Sequence, residues 1–224
     1  MNIHALLSVL HLSSPSLPIG AFAYSQGLEG AVELGFITDE ASLIKWLKPI
    51  LTRGQANLDL PVLARCYRAW QQCDIETATA EIAHWQAILL ANRETAELVM
   101  EEQKLGVTLH RLLHSLGVEL NEQTQGLSYL PLYAKACVHF RVPLEAAMTG
   151  WLWSWLENQV MAACKTVPLG QTSAQTVLLA LMSAIEHAIA HALEVEDDDI
   201  GLTLPNFAMV SAWHETQYSR LFRS

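Results

Sequence analysis

Residues 75–116 read IETATAEIAHWQAILLANRETAELVMEEQKLGVTLHRLLHSL, and the periodicity of this stretch decides the fold class. Ile75, Ala78, Ile82, Trp85 and Leu89 follow at spacings of three, four, three and four, which stacks them in one stripe along a helix. Leu105, Leu109, Leu112 and Leu116 continue the pattern. No strong stop separates the two stripes, so the stretch is either one long helix or two helices with a short break near Asn92. Asp74 is placed to cap the start and Gly117 to end it.

Working outward, further helices are expected at about 3–12, 22–34, 39–53, 55–72, 130–142, 143–165, 172–193 and 205–217. Alternating strand patterns and Asn-Gly or Asp-Gly hairpin turns are absent throughout. The expected fold is therefore all-α, a single globular bundle of about nine or ten helices. No low-complexity linker or internal repeat divides it, so residues 1–213 form one helical domain and 214–224 a short tail. Pro49 and Pro61 are placed to kink or divide their helices. Thr172 with Gln175 makes a capping box after the turn Pro168-Leu169-Gly170.

Composition narrows the function. With 51% hydrophobic and 16% charged residues, the chain has apolar surface to spare for partners. A net charge of −10 and the lack of a visible basic stripe argue against nucleic acid and favour basic protein surfaces. No uninterrupted apolar run approaches the roughly 18 residues of a membrane span; the run 177–185 is soon broken by Glu186 and His187. The first basic residue is Lys45, so no signal or transit peptide is read at the start, and a soluble, cytoplasmic protein is expected. Cys66, Cys73, Cys137 and Cys164 lack CxxC spacing and are read as small core hydrophobes.

Candidate chemistry is sparse. The stretch SSPSLPIGAFAYSQGLEG fits no phosphate-binding glycine pattern, and Ser25 lacks both the first glycine of GxSxG and a strand leading into it. His110 with His114, and His187 with His191, each stand at i and i+4, where two imidazoles could face one metal, but HExxH is absent. EVEDDD at 194–199 suggests a calcium loop, yet Ala208 holds the position where a bidentate Glu is needed, so a solvated acidic loop is expected. Residues 146–164 are apolar nearly all round and mark a buried helix, interrupted by Glu157, Asn158 and Gln159. A buried hydrogen-bond network at Glu157 and Asn158 is the expected use of those groups.

Four blocks in order, LSSPSLPIGAFAYSQGLE, NRETAELVMEEQKLG, WLENQVMAACKTVPLGQ and HETQYSRLFRS, closely resemble the urease accessory protein UreF family over nearly the whole chain. The resemblance implies an all-helical, dimer-forming, non-catalytic helper of urease maturation. Its partners would be a scaffold of the UreD (UreH) type, the GTPase UreG and the urease apoprotein, to which the assembly delivers nickel. It implies scaffold docking by the tail: His214, Glu215, Tyr218, Arg220, Leu221, Phe222 and Arg223. It also implies GTPase contact near Tyr24, Glu29, Lys165 and Gln171, with Glu29 and Lys165 as interface charges. No cofactor and no tight metal site belong to this reading. A helical turn through the tail would set Tyr218 and Phe222, at i and i+4, on one face. Two competing readings stand beside it: a metal carrier using His187 and His191, and an enzyme using Ser25 or Glu157.

Overall fold

A computed structural model describes residues 1–72, 75–201 and 204–224. Cys73 and Asp74, with the core thiol and helix cap expected of them, lie outside the described residues, as does the side chain of Ile75. The chain folds as α1 (Ile3–Leu12), α2 (Leu28–Glu33), α3 (Glu40–Pro49), α4 (Asp59–Trp70), α5 (Ile75–Ala91), α6 (Ala96–Ser115), α7 (Tyr129–His139), α8 (Leu144–Thr166), α9 (Gln171–Glu194) and α10 (Pro205–His214). No strand occurs among the described residues, and the protein is all-α.

The stretch 75–116 is two helices. At the break, the Thr95 hydroxyl accepts the Leu98 amide at 3.3 Å and caps α6. At the far end Gly117, at φ 78°, lets its own amide reach His114 O and the Val118 amide reach Leu113 O, closing the helix as expected. The leucine stripe meets α7, and Gly106 permits the approach: a Cβ there would lie 2.6 Å from Leu127 O and 2.8 Å from Ser128 Cα.

α4 packs on α5 and α7, and α8 lies against α9. Buried polar tips tie these layers without orphaning donors. Tyr67 Oη donates to Val142 O (2.8 Å), Trp70 Nε1 to Pro131 O (2.9 Å), Tyr133 Oη to Ala147 O (3.0 Å) and Trp151 Nε1 to Gln55 Oε1 (3.0 Å).

Several expectations are corrected. Pro49 closes α3, and the backbone continues as a π-helical turn, Ile50–Gln55. Pro61 sits in the first turn of α4, where its missing N–H has no intrahelical partner to lose. The helix expected over 22–34 shrinks to α2, because Gln26 (φ 50°) and Gly27 (φ 78°) turn the chain left-handed just before it. The Thr172–Gln175 box does not form: α9 starts one residue earlier, with Gly170 as its N-cap and no side-chain cap. α10 ends at His214, and residues 215–224 are not helical. α9 is also long and apolar enough, by composition, to cross a bilayer. The sequence reading counted uninterrupted runs and missed that an average over the helix tolerates Glu186. In the fold α9 buries Val177, Leu181, Ala184 and Ala188 against its neighbours.

Candidate functional site

The polar centre of the molecule is built where the tail returns to α2 and α6. The left-handed turn before α2 aims Glu29 inward, and its carboxylate accepts the amides of Leu221 (2.7 Å) and Phe222 (3.0 Å). His214, fully buried at the end of α10, puts Nδ1 2.7 Å from Glu97 and Nε2 3.4 Å from Glu29. Gly27 and Gly30 make room for α10, since a Cβ on either would press on Ser211 or Val210. Arg220 pairs with the other Glu97 oxygen, and the Glu97 amide donates to Glu215 Oε1 at 3.2 Å. Ser25 donates through both its amide (2.8 Å) and its hydroxyl (2.6 Å) to the backbone oxygen of Ser224, while the Arg223 amide donates to Ala23 O. Phe222 is buried, and Lys165 Nζ lies 5.4 Å from its ring centroid, within cation–π range.

One turn deeper, Arg93 holds Asp59 and, at 3.2 Å, Glu102, whose second oxygen accepts the Leu130 amide at 2.8 Å. Burial alone would lower the Arg93 pKa, but the facing Asp59 and Glu102 carboxylates outweigh it and raise it.

Glu101 lies between these groups. Its oxygens accept Gln26 Nε2 and Ser224 Oγ, both at 2.8 Å, and Gln26 in turn accepts Trp155 Nε1 at 2.7 Å. Burial pushes the Glu101 carboxyl up to about 7, against the pull of those two donors. A folded-state pKa above the unfolded one means the native state binds the extra proton. Its stabilisation is thus complete below the unfolded pKa of 4.5 and is lost as pH rises through about 7. Glu101→Gln should therefore flatten the fall in stability between pH 5 and 7, and urea melts across that range measure it. An unchanged slope would remove Glu101 from the account.

The structure brings the two sets of residues from the sequence together. Tyr24 and Glu29 are buried beneath the tail; Glu29 points inward rather than onto an open surface. Lys165 and Gln171 are exposed on either side of the α8–α9 turn. In the tail, His214 and Phe222 face in, whereas Tyr218 is fully exposed and Leu221 is 70% exposed. The two tail rings do not share a helical face, because the segment follows the Glu29 carboxylate instead of helical geometry.

Other candidates are otherwise engaged. Ser25 serves the tail. His110 faces Thr124, His187 bonds Ser183 O and His191 bonds Asn57, and no group of three potential metal ligands forms among the described residues. In the acidic loop Asp197 is paired with Arg65. Asn158 donates to Ala21 O (3.2 Å) and Tyr24 O (2.9 Å), pinning the N-terminal loop to α8. Glu157 is half-buried, and burial raises its pKa. Cys66 and Cys137 are buried and Cys164 half-buried.

Sequence reasoning missed Glu97, Glu101, Glu102 and Arg93. The signal was present: Leu98, Glu102, Leu105 and Leu109 step by four, three and four, which puts Glu102 on the buried stripe.

The sequence profile of the UreF family matches residues 37–182. A urease accessory protein UreF from Chromohalobacter salexigens is 51% identical over 98% of this chain and 95% of its own length. Those of Teredinibacter turnerae and Hahella chejuensis are each 46% identical, over 98% of both chains. These alignments extend past the profile into the tail and the carboxylates that hold it.

Proposed function

This chain belongs to the UreF family of urease accessory proteins, and from that premise we propose that it is a non-catalytic adaptor that bridges a UreD/UreH-type scaffold and the GTPase UreG while nickel is delivered to the urease apoprotein. Nickel is cargo of the assembly in this reading, and the protein acts as a cytoplasmic homodimer. The observation that carries it is the clamped tail. Glu29 fixes the backbone at Leu221 and Phe222, so Tyr218 and Leu221 are presented outward as anchors at little further entropic cost. Lys165 sits on the other side of Phe222, so a scaffold face on the tail and a GTPase face at Lys165 would share one rigid support.

A truncation after Trp213 would remove His214 and strand the Glu29 and Glu97 carboxylates, which confuses docking with folding. Tyr218→Ala with Leu221→Ala removes only exposed groups. Light scattering after co-purification with the scaffold should show a folded variant, stable to within about 0.5 kcal/mol, with at least tenfold weaker scaffold binding. Wild-type affinity in that variant would defeat the tail assignment. In the same assay, Lys165→Glu should keep the scaffold and lose the GTPase.

A further inference from the structure

The outer face of α6 tells a different electrostatic story from its inner one. Its acids, Glu97, Glu101 and Glu102, are all buried, and the solvent side carries Gln103, Lys104, Val107, Arg111 and His114. In a chain of net charge −10 this face has no carboxylate. The 3-10 turn Ala21–Ala23 and the end of the tail stand beside it and enclose an open groove of about 380 Å³, lined by Ile19, Phe22, Lys104, Val107, Thr108 and Arg223. Phe22 is 64% and Val107 48% exposed, so the floor is apolar and wet. Among the described residues neither Lys104 nor Arg223 has an ion-pair partner, whereas Arg65, Arg93 and Arg220 do.

We propose that this groove docks an acidic segment of a partner protein, with an aromatic or branched apolar side chain set on Phe22 and Val107 and flanking carboxylates on Lys104 and Arg223. Two cations either side of an apolar floor complement that pattern in both charge and spacing. The apolar floor separates it from a simple anion site, which would have no use for an exposed phenyl ring. Arg111, two turns beyond Lys104 on the same face, extends the cationic track. None of this depends on which partner grips the outward side of the tail.

The test uses the full chain and a fluorescent hexapeptide of Asp and Glu around one Phe, followed by anisotropy. Saturable binding should weaken at least tenfold with Lys104→Glu and with Arg223→Ala, and several-fold with Phe22→Ala. It should fall as salt rises and vanish when the peptide's acids become lysines. These side chains are exposed, and a thermal melt confirms each variant's fold. No saturable binding, or binding indifferent to all three substitutions, would overturn the proposal. Equal affinity for a peptide lacking Phe, or full displacement by equimolar inorganic phosphate, would make the groove a plain anion site instead. Self-association lost on neutralising Asp198 and Asp199 would assign it to a second copy of this chain.

Discussion

Replacing Arg93 with leucine is expected to cost about 3–5 kcal/mol of stability at neutral pH, the range for stripping one member from a buried ion cluster. The guanidinium is the cation between Asp59 and Glu102, with Glu101 close behind. Leucine leaves those carboxylates buried without a counter-charge, and Glu102 still tied to the Leu130 amide cannot swing out to water. Urea melts measure the loss. The charge origin has its own signature: acidification toward pH 4.5 neutralises carboxylates, so the deficit should narrow. A deficit independent of pH would mean that leucine merely packs badly.

Glu29→Ala should release the tail. It removes the acceptor of two amides and one of the carboxylates facing His214. Hydrogen bonds to a charged group are worth about 1.5–3 kcal/mol each, so losing two removes most of what a ten-residue segment gains by docking. The global melting temperature should move less than tail protection does, because the segment can leave while the bundle stays. Amide exchange of residues 218–224 should accelerate at least tenfold, and carboxypeptidase should trim the chain. Wild-type protection would show that Ser25, Glu97 and Glu101 suffice to hold the tail.

Helical periodicity made the bundle legible, because the pattern at 75–116 is local and needs no knowledge of partners. What the sequence hid is long-range. Gln26 looked like a helical residue, and only its bonds to Glu101 and Trp155 explain its left-handed backbone. Tyr218 and Phe222 kept helical spacing, but Glu29, far away in sequence, competes for the amides a helical turn would use. Glu29 itself read as a surface charge since nothing nearby announces a buried acceptor. The basic face at Lys104, Arg111 and Arg223 escaped notice for a similar reason: no stretch of chain contains all three.

The bond between Ser25 and Ser224 spans 199 residues and that between Glu29 and Phe222 spans 193. During synthesis, which adds residues from the N-terminal end, Glu29, Glu97 and Glu101 emerge from the ribosome long before their tail partners. The nascent bundle can gather its apolar core meanwhile, but its carboxylates stay uncovered until residues 214–224 follow. Closure of the tail is thus the last folding event, and a chain interrupted in translation lacks the segment that completes its polar centre.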